Sequence, residues 1–143
     1  MDVYLDMSSG AISDRALKRG VVLFAHGARD PRWAEPLEAI ALRLRMQAPA
    51  LEVATAYLEL MTPDLAGAVA LLAGRGCGEI TVVPVFLGQG GHVRRDLPAR
   101  LEEVRRMQPG LDLRLTEAVG EDAHVLDAIA AFCLREVAAT PAR

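Results

Sequence analysis

His26, Glu59 and His92 are the residues of this 143-residue chain whose types and spacing could do chemistry together. Two imidazoles and one carboxylate form a common ligand set for a divalent first-row metal that keeps open coordination positions. Taken singly, each has an ordinary reading. A histidine at a strand end is usually a hydrogen-bonded structural residue, a lone glutamate is usually a solvated carboxylate, and the GQGG at 88–91 would by itself be a turn. What joins them is their setting. VVLFA (21–25) runs straight into His26, LEVATAYLE (51–59) ends on Glu59, and EITVVPVFL (79–87) leads through Gly88, Gln89, Gly90 and Gly91 to His92.

Those apolar runs define the elements that must position the three side chains. VVLFA and TVVPVFL do not alternate with polar residues, as expected of strands buried on both faces. Between them lie helical patterns at 33–47, 65–76, 96–108 and 121–138, and LDLRLTEA (111–118) supplies a fourth strand. Four strand-then-helix units, each about thirty residues long, predict an α/β fold: a doubly wound, mainly parallel four-stranded sheet with helices on both faces. Right-handed crossovers favour the strand order 2-1-3-4. Ligands of such sheets bind outside the carboxyl ends of the strands, where the order reverses. Strands 2, 1 and 3 are then neighbours, and Glu59, His26 and His92 converge on one rim.

The surroundings extend the picture. The glycines at 88, 90 and 91 leave bare backbone that a large planar ligand could approach, in a loop free to take positive φ. Asp96, with Leu97 and Pro98 behind it, reads as the N-cap of the helix at 96–108. Arg29 and Arg32 follow His26, and Arg94 and Arg95 follow His92. Guanidinium groups beside a metal site suit an acidic substrate, because they pair bidentately with carboxylates and phosphates. Their competing role is surface pairing with Asp30, Glu35 or Asp96. His124, in the first turn of the last helix, lies apart from the pattern and reads as a surface residue.

Composition excludes several classes. A formal net charge of −3 shows no basic excess of the kind a nucleic-acid partner requires. No apolar run approaches the ~20 residues of a membrane span. Cys77 and Cys133 are far apart and read as reduced thiols of a cytoplasmic protein. Residues 1–19 read as a polar arm and 20–140 as a single α/β domain. There is no GxSxG elbow, no GxxxxGK[ST] phosphate loop and no GxGxxG fingerprint, so no nucleotide cofactor is expected.

AHGARDPRW (25–33), AYLELMTPDL (56–65) and VVPVFLGQGGHVRRDLP (82–98) together resemble the short class II tetrapyrrole chelatases, of the sirohydrochlorin cobaltochelatase (CbiX) and ferrochelatase (SirB) type. The resemblance runs from about residue 20 to about residue 130. It implies insertion of Co2+, Fe2+ or Ni2+ into the acidic macrocycle sirohydrochlorin without ATP, in cobalamin or siroheme biosynthesis. It also implies that His26 is metal ligand and proton acceptor, that His92 is a metal ligand, and that Glu59 is the acidic residue completing the catalytic set. Leu87, Gly88, Gln89, Gly90 and Gly91 become the loop lining the substrate. A further substrate contact falls on Thr62, where some members carry a polar or charged group. Arg29, Arg94 and Arg95 gain partners in the carboxylates of the macrocycle. A short member resembles half of a two-lobed chelatase, which implies a homodimer enclosing the ring. Two other readings of the same rim are a non-catalytic metal-binding or delivery protein and a metal-dependent hydrolase of a phosphorylated small molecule.

Overall fold

The computed structural model describes residues 18–143, so most of the polar arm expected over 1–19 lies outside the described residues. The elements are β1 (Arg19–Ala25), α1 (Glu35–Gln47), β2 (Glu52–Tyr57), α2 (Leu65–Gly74), β3 (Glu79–Pro84), α3 (Gly91–Met107), β4 (Asp112–Leu115) and α4 (Ala123–Ala139). Short 3-10 turns occupy Pro31–Ala34 and Val119–Glu121. The strands form one sheet in the order β2-β1-β3-β4, and every pairing is parallel. The expected order therefore holds, and with it the adjacency of the β2, β1 and β3 ends.

The two faces of the sheet are covered unequally. On one, Val22, Phe24, Ala54, Ala56, Ile80 and Val82 pack under α2 and α3, which contribute Leu65, Val69, Leu72, Leu97, Leu101 and Val104. On the other, α1 sets Leu37 and Ala41 on Val21, Leu23, Val53 and Tyr57. Each fully buried Val, Leu, Ile or Phe among them stabilises the fold by roughly 1.5–3 kcal/mol relative to exposure. Local chemistry marks the helix ends. The Asp64 carboxylate accepts from the Gly67 N–H at 2.9 Å to cap α2. At the other end Gly76, at φ +93°, donates to the Ala73 carbonyl while Cys77 donates to Leu72, the paired bonds of a Schellman stop.

The start of α3 departs from expectation. The helix begins at Gly91, five residues before the expected start, so Asp96 is not its N-cap; Gly90 holds that position without a side-chain bond. Pro98 lies inside the helix and withholds an N–H there. Leu97, Leu101 and Val104, spaced four and three apart, are all buried on the sheet, and that packing outweighs the breaker. His92 accordingly sits in the first turn of α3, not on the glycine loop. Among the described residues no helix is long and apolar enough to cross a membrane.

Candidate metal and macrocycle site

Backbone bonds beyond the last paired residues of β1 and β2 carry the two strand ends forward together. The Leu58 N–H donates to the Ala25 carbonyl at 2.9 Å, and the Glu59 N–H to the His26 carbonyl at 3.1 Å. Between them Gly27 takes φ +93°, and a Cβ there would stand 1.9 Å from the Glu59 carbonyl oxygen. Only glycine allows both the dihedral and the approach. The outcome is a direct side-chain contact: His26 Nε2 stands 3.2 Å from Glu59 Oε1, with both side chains more than half exposed. An imidazole held against a carboxylate in contact with solvent can ligate a cation or exchange a proton. Tyr57 lies beneath, and burial pushes its phenol above the ordinary range.

Glu59 also lines a cleft of about 180 Å3 with Leu58, Val93, Asp96, Leu97 and Arg100. The cleft joins the β2 end to the first turns of α3, where His92 immediately precedes Val93. The side chain of His92 itself lies outside the described residues. The three expected positions therefore share one end of the sheet, and the contact seen within the trio is that of His26 with Glu59.

The glycine loop is built differently. None of Gly88, Gly90 and Gly91 has positive φ, contrary to the expectation for a loop of this composition. A Cβ added at Gly88 or Gly90 would meet nothing within 4 Å. The chain's own packing therefore makes no demand for glycine at those two positions. Leu87 is 70% exposed. The loop is fastened from behind, where Gly120 donates to the Phe86 carbonyl at 2.9 Å and lies so close that its Cβ would strike the Leu87 backbone. Gln89 lines a second cleft, of about 200 Å3, with Arg94, Thr116 and Glu121. Thr62 is exposed just after the Glu59 turn.

Two of the four arginines are neutralised within the chain. Arg32 grips Asp30, Nη2 to Oδ2 at 2.6 Å, which holds the Asp30 carboxyl below its usual range and raises Arg32. Arg94, in the first turn of α3, pairs with Glu121 of the 3-10 turn at 2.8 Å, a contact that no local pattern signals. Arg95 donates from Nε to the Gly91 carbonyl. Neither Arg29 nor Arg95 forms an ion pair with a described carboxylate. His124 is exposed, as read from the sequence. The residue that sequence reasoning passed over is Gly27. Its signal was the histidine–glycine pair at the end of a buried strand, where a close approach of the neighbouring strand end needs a residue without a side chain.

The sequence profile of the CbiX family matches residues 20–134. The chain belongs to the CbiX family. The sirohydrochlorin cobaltochelatase of Sulfurisphaera tokodaii is 30% identical over 108 residues, which are 76% of this chain and 85% of that protein. A cobalamin (vitamin B12) biosynthesis CbiX protein from Marinobacter aquaeolei VT8 superposes with a TM-score of 0.75 at 34% identity, over 85% of this chain and 99% of that one. The sirohydrochlorin chelatase SirB from Bacillus subtilis subspecies spizizenii, solved with cobalt, shares the fold at a TM-score of 0.71 and 20% identity. There, 83% of this CbiX-family chain covers 51% of the other, about half its length.

Proposed function

We propose that this CbiX-family protein is a metallochelatase that inserts a divalent metal into sirohydrochlorin without ATP. Co2+ is the first choice, with Fe2+ and Ni2+ as alternatives, and the product enters cobalamin or siroheme biosynthesis. The observation that carries the proposal is the exposed His26–Glu59 contact at 3.2 Å, fixed by the paired β1 and β2 ends, in a chain related to a sirohydrochlorin cobaltochelatase.

Insertion exchanges two pyrrole N–H protons of the ring for one M2+. The site must therefore hold a partly desolvated cation and remove two protons, at a pH where both tasks suit one side chain. Imidazole meets that need, because its neutral form ligates a metal or accepts a proton near neutrality. Glu59 beside Nε2 stabilises the imidazolium once a proton arrives, and exposure lets that proton pass on to water. In this reading His92, at the start of α3, brings the second metal-ligating imidazole. The open backbone at Gly88 and Gly90 admits the flat ring against Leu87, Gln89, Gly91 and Thr62. Arg29 and Arg95 meet its carboxylates, and Arg94 joins them only by leaving Glu121. Holding metal and ring in register is a positioning task, and the protein needs no cofactor for it. Two copies enclose the macrocycle.

The decisive experiment is anaerobic absorbance spectroscopy of the purified protein with sirohydrochlorin, adding Co2+, Fe2+ and Ni2+ in turn. Spectral conversion faster than the protein-free rate is expected with at least one metal. A folded protein that binds metal and accelerates none of the three conversions would instead be a delivery protein.

A further inference from the structure

Among the described residues Leu60 is the one non-glycine residue at positive φ, +65°. The Met61 N–H donates across it to the Glu59 carbonyl at 2.8 Å, so Glu59, Leu60 and Met61 form a γ-turn of the rare, strained hand. Gly27, itself at φ +93°, closely approaches the same carbonyl. Glycine serves there because it carries no Cβ. At position 60 the chain sets a leucine, whose Cβ crowds the backbone in this region. Packing does not account for that choice. Leu58 packs against the core under α2 and α3, and Met61 against the core under α1. Leu60, between them, belongs to neither core and is 60% exposed. A residue that strains the backbone and is idle in the core marks a demand from outside the fold.

The place of Leu60 in the sheet says what the demand is. Strand β1 lies between β2 and β3, so the turns leaving those two strands stand on either side of His26. Leu60 is on the first turn and Leu87, 70% exposed, is on the second. Two exposed leucines thus flank the imidazole along the row of strand ends, and Glu59, in contact with His26, directly precedes one of them. Guanidinium groups suit the charged periphery of an acidic macrocycle. Its flat hydrocarbon face calls for apolar surface of the kind the leucines offer.

We propose that Leu60 is a positioning residue for the macrocycle. Held out from the fold by the γ-turn, its side chain bears on the flat face of the ring and, with Leu87 on the far side of His26, seats the ring over the His26–Glu59 pair. A turn of three residues leaves little freedom between the leucine and the carboxylate before it, so ring and metal site stay in register. This role rests on the chelatase reading and adds to it a contact that the charged residues cannot supply.

Leu60→Gly separates backbone from side chain, because glycine accepts the dihedral and removes the apolar group. Its melting temperature is expected to equal or exceed that of wild type. Titration with metal-free sirohydrochlorin, followed by absorbance, is expected to show the ring bound about tenfold more weakly, the scale of one apolar side chain's contact. With whichever of Co2+, Fe2+ and Ni2+ is inserted fastest, KM for the ring should rise by the same factor while kcat stays at the wild-type value. Leu60→Met, which keeps an apolar side chain, is expected to bind the ring as wild type does. Leu60→Asn, whose side chain tolerates positive φ, is expected to repeat the glycine result and replaces Leu60→Gly if that variant does not fold. Wild-type affinity for the ring in these two variants overturns the inference and leaves the chelatase reading standing. So does a lower melting temperature in both, which would assign the leucine to the fold, or a loss of kcat alone, which would assign the turn to holding Glu59. A wild type that binds the ring but inserts no metal overturns the chelatase reading alone, since the titration still decides the contact of Leu60. A wild type that does not bind the ring overturns both.

Discussion

The two ends of the sheet carry similar contacts with different chemistry. At the amino ends of the strands, Lys18 Nζ and Arg75 Nη1 hold the Glu52 carboxylate at 3.1 and 3.3 Å, and Arg19 pairs with Glu79 at 3.0 Å. At the carboxyl ends, His26 holds Glu59 at 3.2 Å. Both arrangements tie an end of β1, or the residue just outside it, to a neighbouring strand or the turn that follows it, and neither is buried. The lower partners are ammonium and guanidinium groups, which donate hydrogen bonds but offer no lone pair to a metal, so their contacts act as staples. The upper partner is an imidazole, which can release its proton, take one up, or turn its lone pair to a metal. The two ends thus differ in the chemistry of one side chain and not in contact distance.

The largest effect expected from breaking this contrast is on turnover. His26→Ala should lower the rate of metal insertion by about 10²–10⁴, the usual contribution of a proton-accepting side chain, with the melting temperature unchanged. Lys18→Ala, at the other end, should leave insertion at the wild-type rate. Equal loss in both variants, read by absorbance with Co2+ and sirohydrochlorin, would erase the distinction between the ends.

Gly27→Ala comes next. The strained φ alone costs about 1–3 kcal/mol, and the added Cβ must displace the Glu59 carbonyl, now 1.9 Å from its position. Thermal unfolding should show the destabilisation, and insertion should fall with it because the His26–Glu59 contact depends on that approach. Gly88→Ala sharpens the contrast within the upper end. Its Cβ enters open space, so stability should stay within about 0.5 kcal/mol of wild type. Insertion should nonetheless slow if a flat ring lies against that backbone. Wild-type kinetics in Gly88→Ala would remove the loop from the site.

Strand positions and order were legible in the sequence because unbroken apolar runs and the crossover rule leave few alternatives. The adjacency of His26 and Glu59 followed from that order. The onset of α3 was not legible, since Gly90 offers no capping side chain and Pro98 argues against a helix that the burial of Leu97 and Leu101 nonetheless secures. The pairing of Arg94 with Glu121 joins the start of α3 to a 3-10 turn 27 residues away and leaves no local trace. The apolar residues of α4 signalled burial, yet none of its 17 residues is buried. Helices α2 and α3 lie on one face and α1 on the other, in line with the expected helices on both faces, while α4 buries none of its residues on either.

The smallest expected effect probes the staple itself. The hydrogen bond from Lys18, with the charge of Arg75 added, holds Glu52 below its ordinary 4.5 in the folded chain. A carboxyl depressed on folding contributes stability that is present above the unfolded value and is lost as pH falls through the folded one. Glu52→Gln removes that contribution, so it should lower the melting temperature slightly at pH 7 and leave it equal to wild type at a pH below the folded value. Thermal scans of Glu52→Gln and wild type at neutral and acid pH measure the difference. If the Glu52→Gln deficit persists unchanged in acid, the lower cluster holds the strands by packing and neutral hydrogen bonds and not by charge, and the contrast between the two ends would rest on the imidazole alone.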